Sequence, residues 1–165
     1  LEHLREAGAQ LIALIAAGDE MAWNAELTAA HRGWCDAHGV AVLQAQVPTF
    51  PRPEYTDAAA ARLLRTDRPD AIVCSQPGAA AALVRTLTNR GVRVPDDVLV
   101  ASCVDDATAA AANPPVTAVD LQPALLGRRA ATLLAALLSG RAQPGTDLTV
   151  PTRLVVRAST TAPSR

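Results

Sequence analysis

Asp105 and Asp106 stand side by side where a short apolar run, Val98 to Val104, breaks off. Adjacent carboxylates at the end of a strand can serve as a catalytic pair, part of a metal site, a ligand contact or a helix cap. A catalytic pair needs carboxyl groups that face each other and share a proton. Neighbouring residues leaving a strand point apart, which argues against that use. A metal site needs further donors, and Asp19 and Glu20, after an earlier apolar run, could complete an acidic cluster of the receiver-domain kind. That pattern also requires a phosphoacceptor after the third strand and a Lys. Ser75-Gln76-Pro77 stands at the first position, and every one of the fifteen basic residues is Arg. Without Lys there is also no Schiff base and no P-loop amine, because Arg stays protonated and has a different shape. For Asp106 the favoured reading is a cap on the Ala-rich turn 107–112. For Asp105 a ligand-facing role and a structural one both stand.

Other reactive types read more plainly. Ser75 follows a strand and precedes a helix, as a nucleophile would, but "VCSQPG" is not GxSxG and no His is placed as its base. A helix cap is the favoured reading. His31 and His38 share the first long helix with Glu26 and read as a solvated face rather than metal ligands. No GxGxxG follows a strand, so a dinucleotide fingerprint is missing. Trp23 and Trp34, three helical turns apart, share a helix face. Trp34 reads as core, whereas Trp23 is either core or a stacking surface for a ligand. Cys35, Cys74 and Cys103 are widely spaced and odd in number, which reads as buried reduced thiols of a cytoplasmic protein.

The elements that position these residues alternate. Strands are expected at 10–16, 40–46, 70–75, 97–104, 116–120 and 148–159. Helices are expected at 19–39, 55–66, 78–91 and 123–140, with a helical turn at 107–113. Asp19 and Glu20 suit the positive end of the first long helix, and Gly39 its stop. Uniformly apolar strands alternating with helices predict an α/β, doubly wound, mainly parallel sheet covered on both faces. In such sheets ligands lie beyond the carboxyl ends of the strands, near the switch point. That rule selects residues 17–24, 75–78 and 105–108. The ligand-binding candidates are therefore Trp23, Asn24, Ser75, Gln76 and Asp105.

At 165 residues the chain suits one domain with a full core. Half of it is hydrophobic but only four residues are aromatic, so Ala, Val, Leu and Ile must build the core. A net charge of −1 offers no field for nucleic acid or a membrane surface. No apolar run approaches the length of a membrane span, and "LEHLREAGAQ" is unlike a signal peptide. The chain opens without Met inside a helical pattern, as a piece of a longer protein would.

Ordered motifs across nearly the whole chain carry a resemblance. "PDAIVCSQPGAAAALVRTLTNRGVRVPDDVLVASCVDD" and "NPPVTAVD" follow one another over 69–120. "HLREAGAQLIALIA" precedes them, and "LLGRRAATLLAALL" and "VPTRLVVRAST" complete the set. In this order they resemble the effector-binding domain of lactose-repressor-type (LacI/GalR) transcription regulators. The resemblance implies a periplasmic-binding-protein-like sensor of two lobes, for a sugar or other small metabolite, with no catalysis and no cofactor. It implies a homodimer that controls operator DNA through a helix-turn-helix head outside this chain. On this reading 1–120 and 148–160 form the second lobe, and 123–140 is a helix of the first. A solute-binding protein of the same fold is the alternative, to be decided by a signal peptide rather than a helix-turn-helix upstream of Leu1.

The chain departs from the family pattern at the implied site. The ligand-binding Arg of the first long helix falls near Leu27, by spacing back from Gly39. The Asn-Asp turn after the third strand is Gln76-Pro77. The polar residue after the fifth strand is Leu121, with Gln122 beside it, and Cys103 stands near the usual Gly. Asp105 alone keeps the family's ligand contact. An effector less polar than a simple sugar, or a site that has lost its ligand, fits these changes. The helix 123–139 carries an apolar stripe of Leu126, Ala130, Leu133, Leu134, Leu137 and Leu138, for which a second copy of the chain is the expected partner.

Overall fold

A computed structural model describes residues 1–18, 21–49 and 52–161. Six strands form one sheet in the order β2-β1-β3-β4-β5-β6. They are β1 (Ile12–Ala17), β2 (Leu43–Val47), β3 (Ala71–Cys74), β4 (Leu99–Ser102), β5 (Thr117–Asp120) and β6 (Arg153–Val155). Neighbours from β2 to β5 pair in parallel, and β6 runs antiparallel to β5 at the edge. The helices are α1 (Glu2–Glu6), α2 (Ala22–His38), α3 (Pro53–Thr66), α4 (Ala79–Asn89), α5 (Ala107–Ala111) and α6 (Pro123–Leu138), with a 3-10 turn at Ala158–Thr160. The expected α/β doubly wound, mainly parallel sheet is the observed architecture.

Each central strand is buried on both faces because its alternate residues serve two cores. Ala13, Ile15, Ile72, Cys74 and Val100 point to one side, where Leu63 of α3 and Leu83, Val84 and Leu87 of α4 pack on them. Ile12, Leu14, Ala16, Ala71, Val73 and Ala101 point to the other, beneath α1 and α2. This period-two division explains why β1 is buried at all six positions. Leu83 is fully buried, and truncation to Ala would cost roughly 2–5 kcal/mol.

Element ends differ from expectation where local chemistry overrides the apolar pattern. β4 stops at Ser102 rather than Val104. The Ser102 hydroxyl donates to the carbonyl of Val104 at 2.8 Å and accepts from its N–H at 3.2 Å, closing a turn. The last strand covers 153–155 and not 148–159. Pro151 lacks an N–H, and the Thr149 and Pro151 carbonyls are taken by the Arg129 and Gln122 side chains. α2 ends as expected at Gly39, which takes the left-handed conformation (φ 64°) that closes a helix without a Cβ clash. Asp19 and Glu20, expected at its start, lie outside the described residues.

α6 stands apart from both cores. None of its residues is buried, and Leu126, Leu134 and Leu138 are 52, 56 and 81 % exposed. Among the described residues no helix is long and apolar enough to cross a membrane.

Candidate functional site

The carboxyl ends of β1, β3, β4 and β5 converge on a crevice. The sheet ladder continues one step past the strand ends and fixes the loops there. Ser75 donates its N–H to Ile15, Cys103 to Cys74 and Asp105 to Val119, each at 2.8–2.9 Å. A cavity of about 330 Å³ lies among them, lined by Trp23, Leu27, Ser75, Pro77, Cys103, Val104 and Leu121. It brings together residues from the start of α2 and from the loops after β3, β4 and β5. Those are the places at which open α/β sheets bind ligands.

Of the five candidates, the structure places Trp23 and Ser75 in this cavity wall. Trp23 is 42 % exposed, so it is a surface facing the crevice and not core. Ser75 is buried, and its hydroxyl has no hydrogen-bond partner. It does not cap α4, contrary to expectation. The cap position belongs to Gly78, whose N–H is met at 2.8 Å by the carboxylate of Asp106. Gly78 adopts φ 76°, a left-handed conformation open to glycine at little cost.

Asn24 and Gln76 turn away from the cavity. The Asn24 side chain donates to the carbonyl of Ala17 at 2.6 Å. Gln76 donates to the carbonyls of Pro48 and Thr49, at 3.0 and 2.8 Å, and ties the loop after β2 to the end of β3. Both are buried.

Asp105 and Asp106 separate as two residues with different partners. Asp106 is the expected cap: one carboxylate oxygen accepts from the N–H groups of Thr108 and Ala109 at 2.7 and 2.8 Å, and from the Thr108 hydroxyl. The other holds Gly78. Burial works to raise its pKa, but these hydrogen bonds to the charged form outweigh burial and leave it below the ordinary value.

Asp105 is held by Arg157. Two guanidinium nitrogens meet its two oxygens at 2.8 and 3.0 Å, and the same guanidinium donates to the carbonyl of Val116 at 2.7 Å. Both side chains are about one-fifth exposed. A planar fork on a carboxylate is the strong form of ion pair. Sequence reasoning assigned Arg157 no role, although it lies in the quoted "VVRAST" segment. Gln122 likewise does not face the cavity, because its side chain donates to the carbonyl of Pro151.

The two histidines of α2 correct the reading of a solvated face. His31 is 2 % exposed. Its Nε2–H donates to the carbonyl of Ile12 at 3.0 Å, and its Nδ1 accepts from the Gln44 amide at 3.1 Å. That amide also donates to Thr28, which fixes its orientation. Both ring nitrogens of the neutral imidazole are thereby satisfied, and burial pushes the pKa below 6.5. His38 stacks on Trp34 with ring centroids 4.2 Å apart, and the Trp34 indole donates to Glu2. Trp34 is thus half-buried and packs on the rim of the core beneath α1 and α2. Cys35 and Cys74 are buried and Cys103 is half-buried; all three are free thiols, and burial pushes Cys103 up to about 11.

The wall is therefore mostly apolar, with one unanswered hydroxyl. Leu27, at the position where the resemblance placed an Arg, packs on the core beneath α1 and α2 and contributes an aliphatic side chain.

Several solved proteins of this shape are regulators. The periplasmic binding protein-like domain family matches residues 1–160. The HTH-type transcriptional regulator CelR of Thermobifida fusca is 31% identical over 160 residues, 96% of this chain and 47% of that protein. The chain spans about half the length of that relative. The lactose operon repressor of Rhizobium radiobacter is 33% identical over 97 residues, 59% of this chain and 85% of the repressor. A crystal structure of a LacI family transcriptional regulator from Bifidobacterium animalis superposes with a TM-score of 0.89 at 31% identity, over 99% of this chain and 59% of that one. The CelR–cellobiose complex gives a TM-score of 0.82 over 95% of this chain and 49% of the other. A lactose complex of a LacI family regulator from Arthrobacter sp. FB24 gives 0.83 at 26% identity, over 97% of this chain and 61% of that one. From the sheet order, the crevice at its carboxyl edge and a match over nearly every residue, the chain belongs to the periplasmic binding protein-like family, in the form carried by LacI-type transcriptional regulators.

Proposed function

We propose that this chain is the ligand-sensing domain of a LacI-type regulator, taking a small molecule in the crevice beyond β1, β3, β4 and β5. The observation that carries the reading is the Ser75 hydroxyl, buried in the cavity wall without a partner. A native fold leaves few such groups, and one on a residue that lines a cavity marks a place where a bound molecule completes the bonding. The cellobiose and lactose complexes of similar regulators support small-molecule sensing in this family. The ligand acts by differential affinity for two arrangements of a longer, two-lobed protein, shifting the geometry of a homodimer on operator DNA. The chain works in the cytoplasm, without a cofactor and without catalysis.

On this reading 1–120 and 148–160 make one lobe, and α6 leaves it to take part in the other. The exposed stripe of Leu126, Leu134 and Leu138 supports a covering partner, and a second copy of the chain meets that need. Light scattering on the chain should give a dimer that Leu134→Glu breaks. For sensing, operator affinity of a longer form carrying the helix-turn-helix head is measured with and without molecules that raise this domain's melting temperature. A molecule that stabilises the domain but leaves operator affinity unchanged argues against the regulatory role.

A further inference from the structure

The crevice does not end at Leu27 and Cys103. Both also line a second cavity of about 240 Å³ beneath α2. Leu4, Leu14, Val73 and Ala101 line it, with Ala30 of α2. The space follows from composition: Ala30 and Ala101 both line it, where larger side chains would fill it.

The polar groups around this second cavity are already occupied. His31 is bonded to Ile12 and Gln44, and His3 to the Thr160 hydroxyl at 2.8 Å. Ser102 is bonded to Val104, and the Thr117 hydroxyl to Arg157 and Thr160. None of these side chains asks for a further partner. The unanswered hydroxyl lies in the adjoining crevice, at Ser75, next to the Gln76 amide oxygen, which also lacks a partner among the described residues. Among the described residues no charged side chain lines either cavity, and the carboxylate of Asp105 is clasped by Arg157.

We infer that the two cavities form one elongated site for a compact, mainly apolar molecule carrying a single hydrogen-bonding group, such as an aromatic alcohol. The hydroxyl meets Ser75 beside Trp23, and the ring system passes Leu27 and Cys103 to lie under α2. A saccharide fits this site poorly, because its many hydroxyls would lose water without gaining partners. The inference rests on the sensing role proposed above and names the ligand class for it.

The test uses 2-naphthol as the probe, with cellobiose as the saccharide control, in calorimetric titrations of this chain. 2-Naphthol is expected to bind saturably at one site and to slow alkylation of Cys103 by iodoacetamide. Ala30→Trp, on an exposed helix position, and Ala101→Leu, in the lining, both fill the cavity and should weaken binding about tenfold or more. Ser75→Ala should weaken it less, by about three- to tenfold. Absence of saturable 2-naphthol binding, or binding undiminished by both filling substitutions, overturns the inference. Cellobiose binding without 2-naphthol binding overturns it too, while leaving the sensing role intact. If 2-naphthol binds as described but leaves operator affinity of the longer protein unchanged, the site stands and the sensing role falls.

Discussion

Arg157 grips both carboxylate oxygens of Asp105 across 52 residues of sequence, from the segment after β6 to the end of β4. The contact joins the antiparallel edge of the sheet to the crevice. It leaves Asp105 with its charge neutralised by the protein itself, so a ligand that used this carboxylate would have to compete with a guanidinium fork.

That pairing predicts an asymmetry between substitutions. Arg157→Ala leaves a largely buried carboxylate alone and should cost roughly 2–4 kcal/mol in urea unfolding. Arg157→Lys should recover little of it, because a single ammonium cannot meet both oxygens and the Val116 carbonyl at once. If the lysine variant is as stable as the parent, the fork geometry is not what matters.

Asp106 governs the start of two helices. Asp106→Ala removes the acceptor for Thr108, Ala109 and Gly78 together, and the loss should be about 1–2 kcal/mol at neutral pH. The pKa of Asp106 is lowered, so its contribution is complete above the unfolded carboxyl value near ~4 and fades as pH falls through the folded value. Urea midpoints of the parent and the Ala variant should therefore differ at pH 7 and approach each other at strongly acid pH. A gap that widens on acidification would contradict the bonding to the charged form.

What the sequence made legible, and what it did not, follows the range of the interactions. The cap at Asp106 spans two and three residues, and its turn was readable from "DDATAAA". The alternating elements were readable because strands buried on both faces leave uninterrupted apolar runs. Arg157 was not, because whether two side chains 52 positions apart point at each other is decided by the edge pairing of β5 with β6. His31 was misread for a related reason. The inward stripe of α2 is Asn24, Leu27, His31 and Cys35, spaced as a buried helix face but half polar in type. Its polar members are acceptable only because Ala17 and Ile12 expose carbonyls at the right height. Ser75 looked like a cap since a helix follows it; the cap is supplied from the loop after β4 instead.

His31 sets a second pH dependence. Its folded pKa lies below 6.5, so the unfolded chain binds the extra proton first as pH falls. Stability is full above about pH 6.5 and declines between that value and the folded pKa. His31→Gln should flatten the melting temperature over that window relative to the parent. A parent whose melting temperature is constant down to pH 5 would contradict a buried neutral imidazole.

Ser75→Ala offers the sharpest separation of stability from binding. In the unliganded chain the hydroxyl is buried without a partner, a situation that costs about 1–3 kcal/mol. Removing it should leave the domain as stable as the parent or more stable by about 1 kcal/mol. A residue kept only for packing would show the opposite sign, since Ala leaves a small void. The same substitution should lower affinity for the molecule that fills the crevice, because the bond it makes there is then lost. Opposed signs in the urea midpoint and in the binding titration are the mark of a site that holds an unmet polar group ready for its ligand. A variant that is both less stable and fully competent to bind would place Ser75 in the scaffold.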